Sequence, residues 1–323
     1  MHGPGSDDQT RRVFEGGWNV PRSTLLDHIG NTPLVELRRL SPTSGVSILG
    51  KLELFNPTGS IKDRTALRMI EGAEQRGELT AGMTVIEATS GNTGISLGMV
   101  CALKGYRCNF FMSDSKSLER RLMLHYLGCD VTLTSSDDPD SSIWAAKEMA
   151  EQEAEGIFYI NQNENPDNVL AHREGTGQEI VADLGGEVDA VVAGFGTGGT
   201  LMGISEAFQE AGVAARIVSV EPTSSKSVIE GITQSEEGYI PTIYDAARVD
   251  EIIQVADQDA LATTRLLAEK EGISAGISSG ATVWAAMQLA RRMERGNIVA
   301  IIADSAARYF STPLFEGARE ASG

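Results

Sequence analysis

The chain has 323 residues, of which 41% are hydrophobic, and 27 Lys plus Arg against 45 Asp plus Glu give a formal net charge of −18. That length is roughly twice a usual single domain, so two domains or lobes are expected, with enough apolar residues for a sizeable core. A surface this acidic repels nucleic acid and anionic lipid and excludes both as partners.

Residues 1–22 are polar and rich in glycine and charge and read as a loose arm, with 1–13 outside the folded lobes. Asp7, Asp8, Arg11 and Arg12 leave no apolar targeting core there, and no stretch reaches the roughly 18 apolar residues of a membrane span. A soluble, cytoplasmic protein is therefore expected. From about residue 47 onward, β-like runs appear at Val46–Leu52, Thr84–Glu87, Cys108–Met112, Asp130–Leu133, Ile157–Ile160, Ala190–Ala193, Ile217–Val220 and Ile298–Ile302. Between them lie amphipathic segments at Thr65–Gln75, Ile95–Leu103, Leu118–Leu127, Ser141–Glu153, Leu201–Gln209, Leu261–Glu271 and Ala281–Arg295. Strand–helix alternation of this kind predicts an α/β fold with parallel sheets covered by helices.

The three cysteines, Cys101, Cys108 and Cys129, show no C-x-x-C spacing, and Cys101 and Cys108 sit in apolar runs, so they read as reduced core residues. His2, His28, His125 and His172 lack zinc-ligand spacing, and no metal is expected.

Four loops carry the chemistry. Gly196, Thr197, Gly198, Gly199 and Thr200 follow a strand and open a helix, offering unobstructed backbone N–H groups to an anion at the positive helix end. This reads as a phosphate cradle, although a tight strand–helix corner has the same composition. It lacks the Lys-Ser/Thr ending of a nucleotide loop. In Asn56–Arg64, Pro57, Thr58 and Gly59 make a turn and Ser60 reads as the cap of the next helix. Lys62 then falls in the first helical turn, where the helix dipole opposes protonation and favours the neutral amine that a Schiff base requires. A surface lysine paired with Asp63 or Glu53 is the alternative. Thr89, Ser90, Gly91, Asn92 and Thr93 present hydroxyls, an amide and N–H groups at another helix start, suited to a carboxylate or to plain capping. Ser278 and Ser279 precede the Ala281–Arg295 segment, where capping is again the simpler role.

In this order and spacing, the segments resemble the cysteine synthase and cystathionine β-synthase family of pyridoxal-phosphate (PLP) enzymes. The resemblance runs from Gly30–Val35 to Arg308–Thr312. It implies two lobes of the tryptophan-synthase-β type, each a mostly parallel sheet flanked by helices, with PLP in the cleft between them. The larger lobe would take residues 14–47 and 159–316, the smaller, mobile lobe 48–158, and 317–323 would be a tail. Lys62 would carry PLP, Gly196–Thr200 its phosphate, and Ser278 would face the pyridine nitrogen. Thr89, Ser90, Asn92, Thr93 and Gln162 would hold the substrate carboxylate, with Asn92 also bonding the ring oxygen.

The implied reaction is β-replacement on an activated serine, O-acetylserine or O-phosphoserine. It passes through an aminoacrylate, which a sulfur nucleophile converts to L-cysteine or an analogue. A serine beside the pyridine nitrogen leaves a weaker electron sink than an aspartate would, which favours loss of a β-substituent over transamination. Other nucleophiles, giving diaminopropionate- or cystathionine-type products, remain open, as does a PLP-fold binding partner without catalysis. A homodimer is implied, and a serine acetyltransferase tail is a further partner of the cleft. Ala88 stands where the family usually has proline, and Ser113–Arg121 departs from its Pro-Glu-x-Met-Ser pattern. Lys116 and Lys226 are candidates to meet an anionic substrate, and Asp304 and Ser305 receive no role. No regulatory extension is expected, since the chain stops soon after Thr312.

Overall fold

The computed structural model describes residues 23–41, 45–89, 91–114, 118–137, 140–152, 155–235, 239–317 and 319. Ten strands form two sheets. In the six-stranded sheet, β1 (Leu34–Glu36), β2 (Val46–Leu52), β10 (Gly296–Ile302), β7 (Ala190–Gly194), β8 (Arg216–Pro222) and β9 (Glu251–Val255) lie side by side in that order. Only β1 is antiparallel to its neighbour. The four-stranded sheet is parallel throughout, ordered β5 (Asp130–Thr134), β4 (Arg107–Ser113), β3 (Thr84–Ala88), β6 (Ile157–Tyr159).

Both faces of each sheet are covered, because the strands carry apolar side chains in both directions. In the larger sheet, Val192, Val218, Ile298 and Ala300 face one core with α8 (Asp257–Leu266) and α9 (Ile277–Ala290). Their sequence neighbours Val191, Ile217 and Val299 face a second core with α6 (Gln178–Leu184) and α7 (Gly199–Ala211). In the smaller sheet, Val85, Phe110 and Met112 pack with α1 (Lys62–Arg76) and α2 (Asn92–Lys104). Ile86 and Phe111 pack instead on α4 (Ser141–Gln152). The three cysteines are unpaired and buried in the α1–α2 core. Among the described residues, no helix is long and apolar enough to cross a membrane and no group of three or more His, Cys, Asp or Glu could hold a metal ion.

The lobe boundaries differ from the expected ones. The boundary expected at residue 48 falls inside β2, all of whose residues pair with β10, so the chain stays in the larger sheet through Leu52. The boundary at 158 likewise falls inside β6, which pairs with β3. Leu26 and Ile29, assigned by sequence to the larger lobe, pack on the α1–α2 core of the smaller one. The arm at 1–13 and nearly all of the tail lie outside the described residues.

Candidate functional site

Parallel sheets gather their loops at the carboxyl ends of the strands, where ligands bind in open α/β folds. Four such ends meet here. The chain leaving β2 leads to Lys62, that leaving β3 to Asn92, that leaving β7 to Gly196–Thr200, and that leaving β10 to Asp304 and Arg308. Together they line a cleft of about 1370 Å³ that includes Lys62, Thr89, Asn92, Thr93, Gln162 and Ser278. Of the glycine loop, Gly196, Thr197, Gly198 and Thr200 line it as well.

Lys62 is the first residue of α1, and its amide donates to Ser60 Oγ at 3.2 Å. The helix cap is nevertheless Ile61, not Ser60. The turn is pinned from both sides: Ile61 N–H donates to Ala303 O at 2.9 Å, and Ser305 N–H donates to Gly59 O at 3.2 Å. Below it, buried Glu53 accepts from Arg64 Nε at 2.7 Å, Thr32 Oγ1 at 2.8 Å and Asn56 Nδ2 at 2.8 Å. The Lys62 side chain reaches the cleft, yet protein crowds its amine. Burial lowers its pKa to about 8, with Glu87 opposing the shift. Desolvation thus acts in the same direction as the positive end of α1, on which Lys62 stands as the first residue. Glu87 itself is raised to about 8 by burial, although it accepts from the backbone amides of Ala88 at 2.8 Å and Gln162 at 3.0 Å.

The glycine loop has the geometry of an anion cradle. Gly198 caps α7 at φ 82°, a left-handed conformation in which a side chain would be strained, and a Cβ there would stand 2.9 Å from Tyr244. Gly199 does not face the cleft: its Cβ would lie 2.2 Å from Asn168 Oδ1, so its small size serves packing. Asn168 Nδ2 donates to Thr197 Oγ1 at 3.0 Å, and Thr200 Oγ1 meets His172 Nε2 at 3.3 Å. Burial, then the nearby Lys62 and Arg64 cations, hold His172 well below its usual pKa. Across the cleft, Thr93 Oγ1 donates to Gln162 Oε1 at 2.8 Å. Ser278 sits in the first turn of α9. A half-buried amine of lowered pKa, a glycine-rich N–H cradle with two threonine hydroxyls and a shared cavity of this size fit a phosphorylated aldehyde cofactor.

Ser90 and Lys116 lie outside the described residues. Lys226 is exposed and does not line the cleft, although Ser227–Ile232 beside it do. Among the described residues, the cleft cations besides Lys62 are Arg120 and Arg308, neither of which the sequence had singled out. Arg120, on α3 (Leu118–Tyr126), forms an ion pair with Glu230 of the larger lobe. Arg308 donates to Asn92 Oδ1 and to Thr58 O. Asp304, placed by the sequence just after the last strand and so near the cleft, had been given no role, and Glu87 was missed; its signal was its place near the carboxyl end of β3.

A two-lobed α/β enzyme with a reactive lysine in the interlobe cleft is the class that this fold and site define. The chain belongs to the pyridoxal-phosphate dependent enzyme family, whose sequence profile matches residues 25–304. It is 44% identical over 294 residues to "Cysteine synthase B" of Escherichia coli strain K12, covering 91% of this chain and 96% of that protein. Among solved structures, it superposes on O-ureido-L-serine synthase with TM-score 0.86 at 39% identity, covering 91% of this chain and 95% of the other. The cysteine synthase of Entamoeba histolytica gives TM-score 0.86 at 36% identity, covering 98% and 94%. The protein is thus a cysteine-synthase-like, fold-type II enzyme whose cofactor is PLP and whose chemistry is β-replacement.

Proposed function

We propose that this enzyme replaces the acetate of O-acetylserine with a sulfur nucleophile to give L-cysteine. The observation that carries the reading is the half-buried Lys62 amine, with its pKa lowered to about 8, in one cleft with the glycine cradle, Ser278 and the Thr93–Gln162 pair. When bound, PLP supplies the electron sink that lets the Cα proton and the β-substituent leave. Lys62 holds the cofactor and moves the Cα proton, for which a pKa near neutrality suits a general base. Gly196, Thr197, Gly198 and Thr200 take the phosphate, and Gly199 lets the cradle close on Asn168. Ser278 meets the pyridine nitrogen. Thr89, Ser90, Asn92, Thr93 and Gln162 hold the substrate carboxylate, and Asn92 also serves the ring oxygen. Closure of the smaller lobe excludes water from the reacting carbon. A homodimer, and a serine acetyltransferase tail as a ligand of the cleft, accompany this reading as partners.

Acetate is favoured over phosphate as the leaving group because both guanidinium groups of the cleft are already engaged. Arg120 is paired with Glu230, whose carboxylate would repel a phosphate dianion, and Arg308 is committed to Asn92 and Thr58. The test is the visible absorption of the purified holoenzyme with O-acetylserine, then sulfide, beside Lys62→Ala. A cofactor band that shifts with O-acetylserine, recovers with sulfide and yields cysteine is expected from the wild type alone. A shift with O-phosphoserine only would replace the donor. A protein that takes up no PLP would overturn the reading.

A further inference from the structure

Asp304 is an expensive residue to bury. It is 1% exposed, burial raises its pKa, and Oδ1 has no hydrogen-bond partner among the described residues. Uncompensated burial of a carboxylate oxygen is tolerated where the group has another task. Its other oxygen has two donors: Asn92 Nδ2 and Tyr309 Oη, each at 2.7 Å. The backbone holds it rigidly, since Gly276 N–H donates to Asp304 O at 3.0 Å and an isolated bridge ties Asp304 to Ser60. Asp304 is thus fixed between the Lys62 turn and the start of α9.

Asn92 stands on the smaller lobe and Asp304 on the larger, so their bond spans the cleft. The opposite end of the same amide, Oδ1, accepts from Arg308. A carboxylate can only accept and a guanidinium can only donate, so this pair of partners leaves the amide a single orientation. Oδ1 is occupied and one N–H is spent on Asp304. What Asn92 retains for the cleft is its second N–H, a donor.

We propose that Asp304 and Arg308 are positioning residues that hold Asn92 as a hydrogen-bond donor toward the anionic oxygens of cofactor and substrate. The inference rests on the reading that Asn92 serves those oxygens. Asp304 and Arg308 act through Asn92 and touch neither ligand in this role.

A double-mutant cycle on the holoenzymes decides it, using wild type, Asp304→Asn, Asn92→Ala and the pair. Three quantities are read: the cofactor absorbance per bound PLP, kcat/KM per bound PLP with O-acetylserine and sulfide, and the thermal midpoint. Asp304→Asn is expected to shift the absorbance and to lower kcat/KM by ~10–100-fold, the scale of one charge-assisted hydrogen bond. In the Asn92→Ala background the same substitution is expected to add less than ~3-fold, because the group it acts through is gone. An unshifted spectrum with kcat/KM within ~2-fold of wild type, or single effects that simply multiply, would overturn the proposal; a purely structural role moves only the midpoint. If Asp304→Asn does not fold, Arg308→Lys enters the same cycle with the same expectations, its ammonium being unable to replace the two-pronged guanidinium. A wild type that binds PLP but ignores O-acetylserine would overturn the donor assignment, while the absorbance cycle would still decide this one.

Discussion

Glu87 is buried and Lys62 is half-buried at the cleft, and desolvation drives each toward its neutral form. For Lys62 this sets a pH requirement on cofactor loading. The amine attacks an aldehyde only when neutral, so uptake of PLP by the apoprotein should rise ~10-fold per pH unit below about 8 and level off above it. Stopped-flow absorbance at a series of pH values measures this. Glu87 has the opposite sign in stability. Its folded pKa is raised, so its contribution is fully present below the ordinary value of 4.5 and is lost as pH rises through about 8. Apoprotein carrying Glu87→Gln should therefore gain on the wild type in thermal midpoint between pH 5 and pH 9. A constant difference across that range would mean that Glu87 does not titrate there.

At the scale of elements, the helix that backs the phosphate loop is irregular. Between α5 (Pro166–Ala171) and α6, residues His172–Gly177 form a π turn, the kind of bulge found at functional sites. It presses His172 and the backbone against α7 at Gly203, where a Cβ would meet Val169 O at 2.4 Å and Arg173 N at 2.7 Å. Backbone atoms on both sides cannot swing away, so Gly203→Ala should cost about 1–3 kcal/mol in urea unfolding and weaken PLP retention. The turn before α1 depends on Glu53, which is 0% exposed beneath Arg64. Glu53→Ala removes one of the two carboxylates on that guanidinium, which keeps Glu179 at 2.6 Å, and takes the acceptor from Thr32 and Asn56, so it should cost about 1–3 kcal/mol, read in the same experiment. Much of this scale was legible in the sequence. Val46–Leu52 and Asp130–Leu133 match strands closely because β-rich runs end in glycine or polar turns, and α3 and α4 match because their apolar faces recur at helical spacing. Segment 166–184 was not legible: Pro166, Gly175 and Gly177 imitate a loop, and only packing on α7 makes it helical. β9 escaped because Glu251 and Gln254 interrupt its apolar residues at an edge. In the site, residue type and spacing marked Lys62 and the glycine loop as candidates, and only the resemblance of the four segments together gave them roles. Asp304, Arg308 and Glu230 were not legible, since their roles come from partners more than a hundred residues away in the chain.

The whole molecule carries a net charge of −18, a field that disfavours the approach of anions. Against it, the described part of the cleft holds Arg120 and Arg308 as local cations. How these are neutralised decides which donor is accepted. The Arg120–Glu230 pair joins the lobes, with side chains 19% and 35% exposed, so it is only partly screened by solvent. As long as Glu230 is ionised, a phosphate entering beside it meets a carboxylate as well as a guanidinium, and the net attraction is small. Glu230→Gln keeps the shape but removes the carboxylate charge beside Arg120, so a phosphate entering there no longer meets a like charge. The ratio of kcat/KM for O-phosphoserine to that for O-acetylserine should then rise by ~2–5-fold, the scale of one partly exposed charge pair. The gain should shrink as ionic strength rises, whereas turnover of the uncharged acetyl ester should depend weakly on salt. Steady-state assays with both donors at low and high salt measure the two effects together. A ratio unchanged by the substitution would assign the pair to lobe docking alone, and donor selection would then rest on the Asn92 side of the cleft.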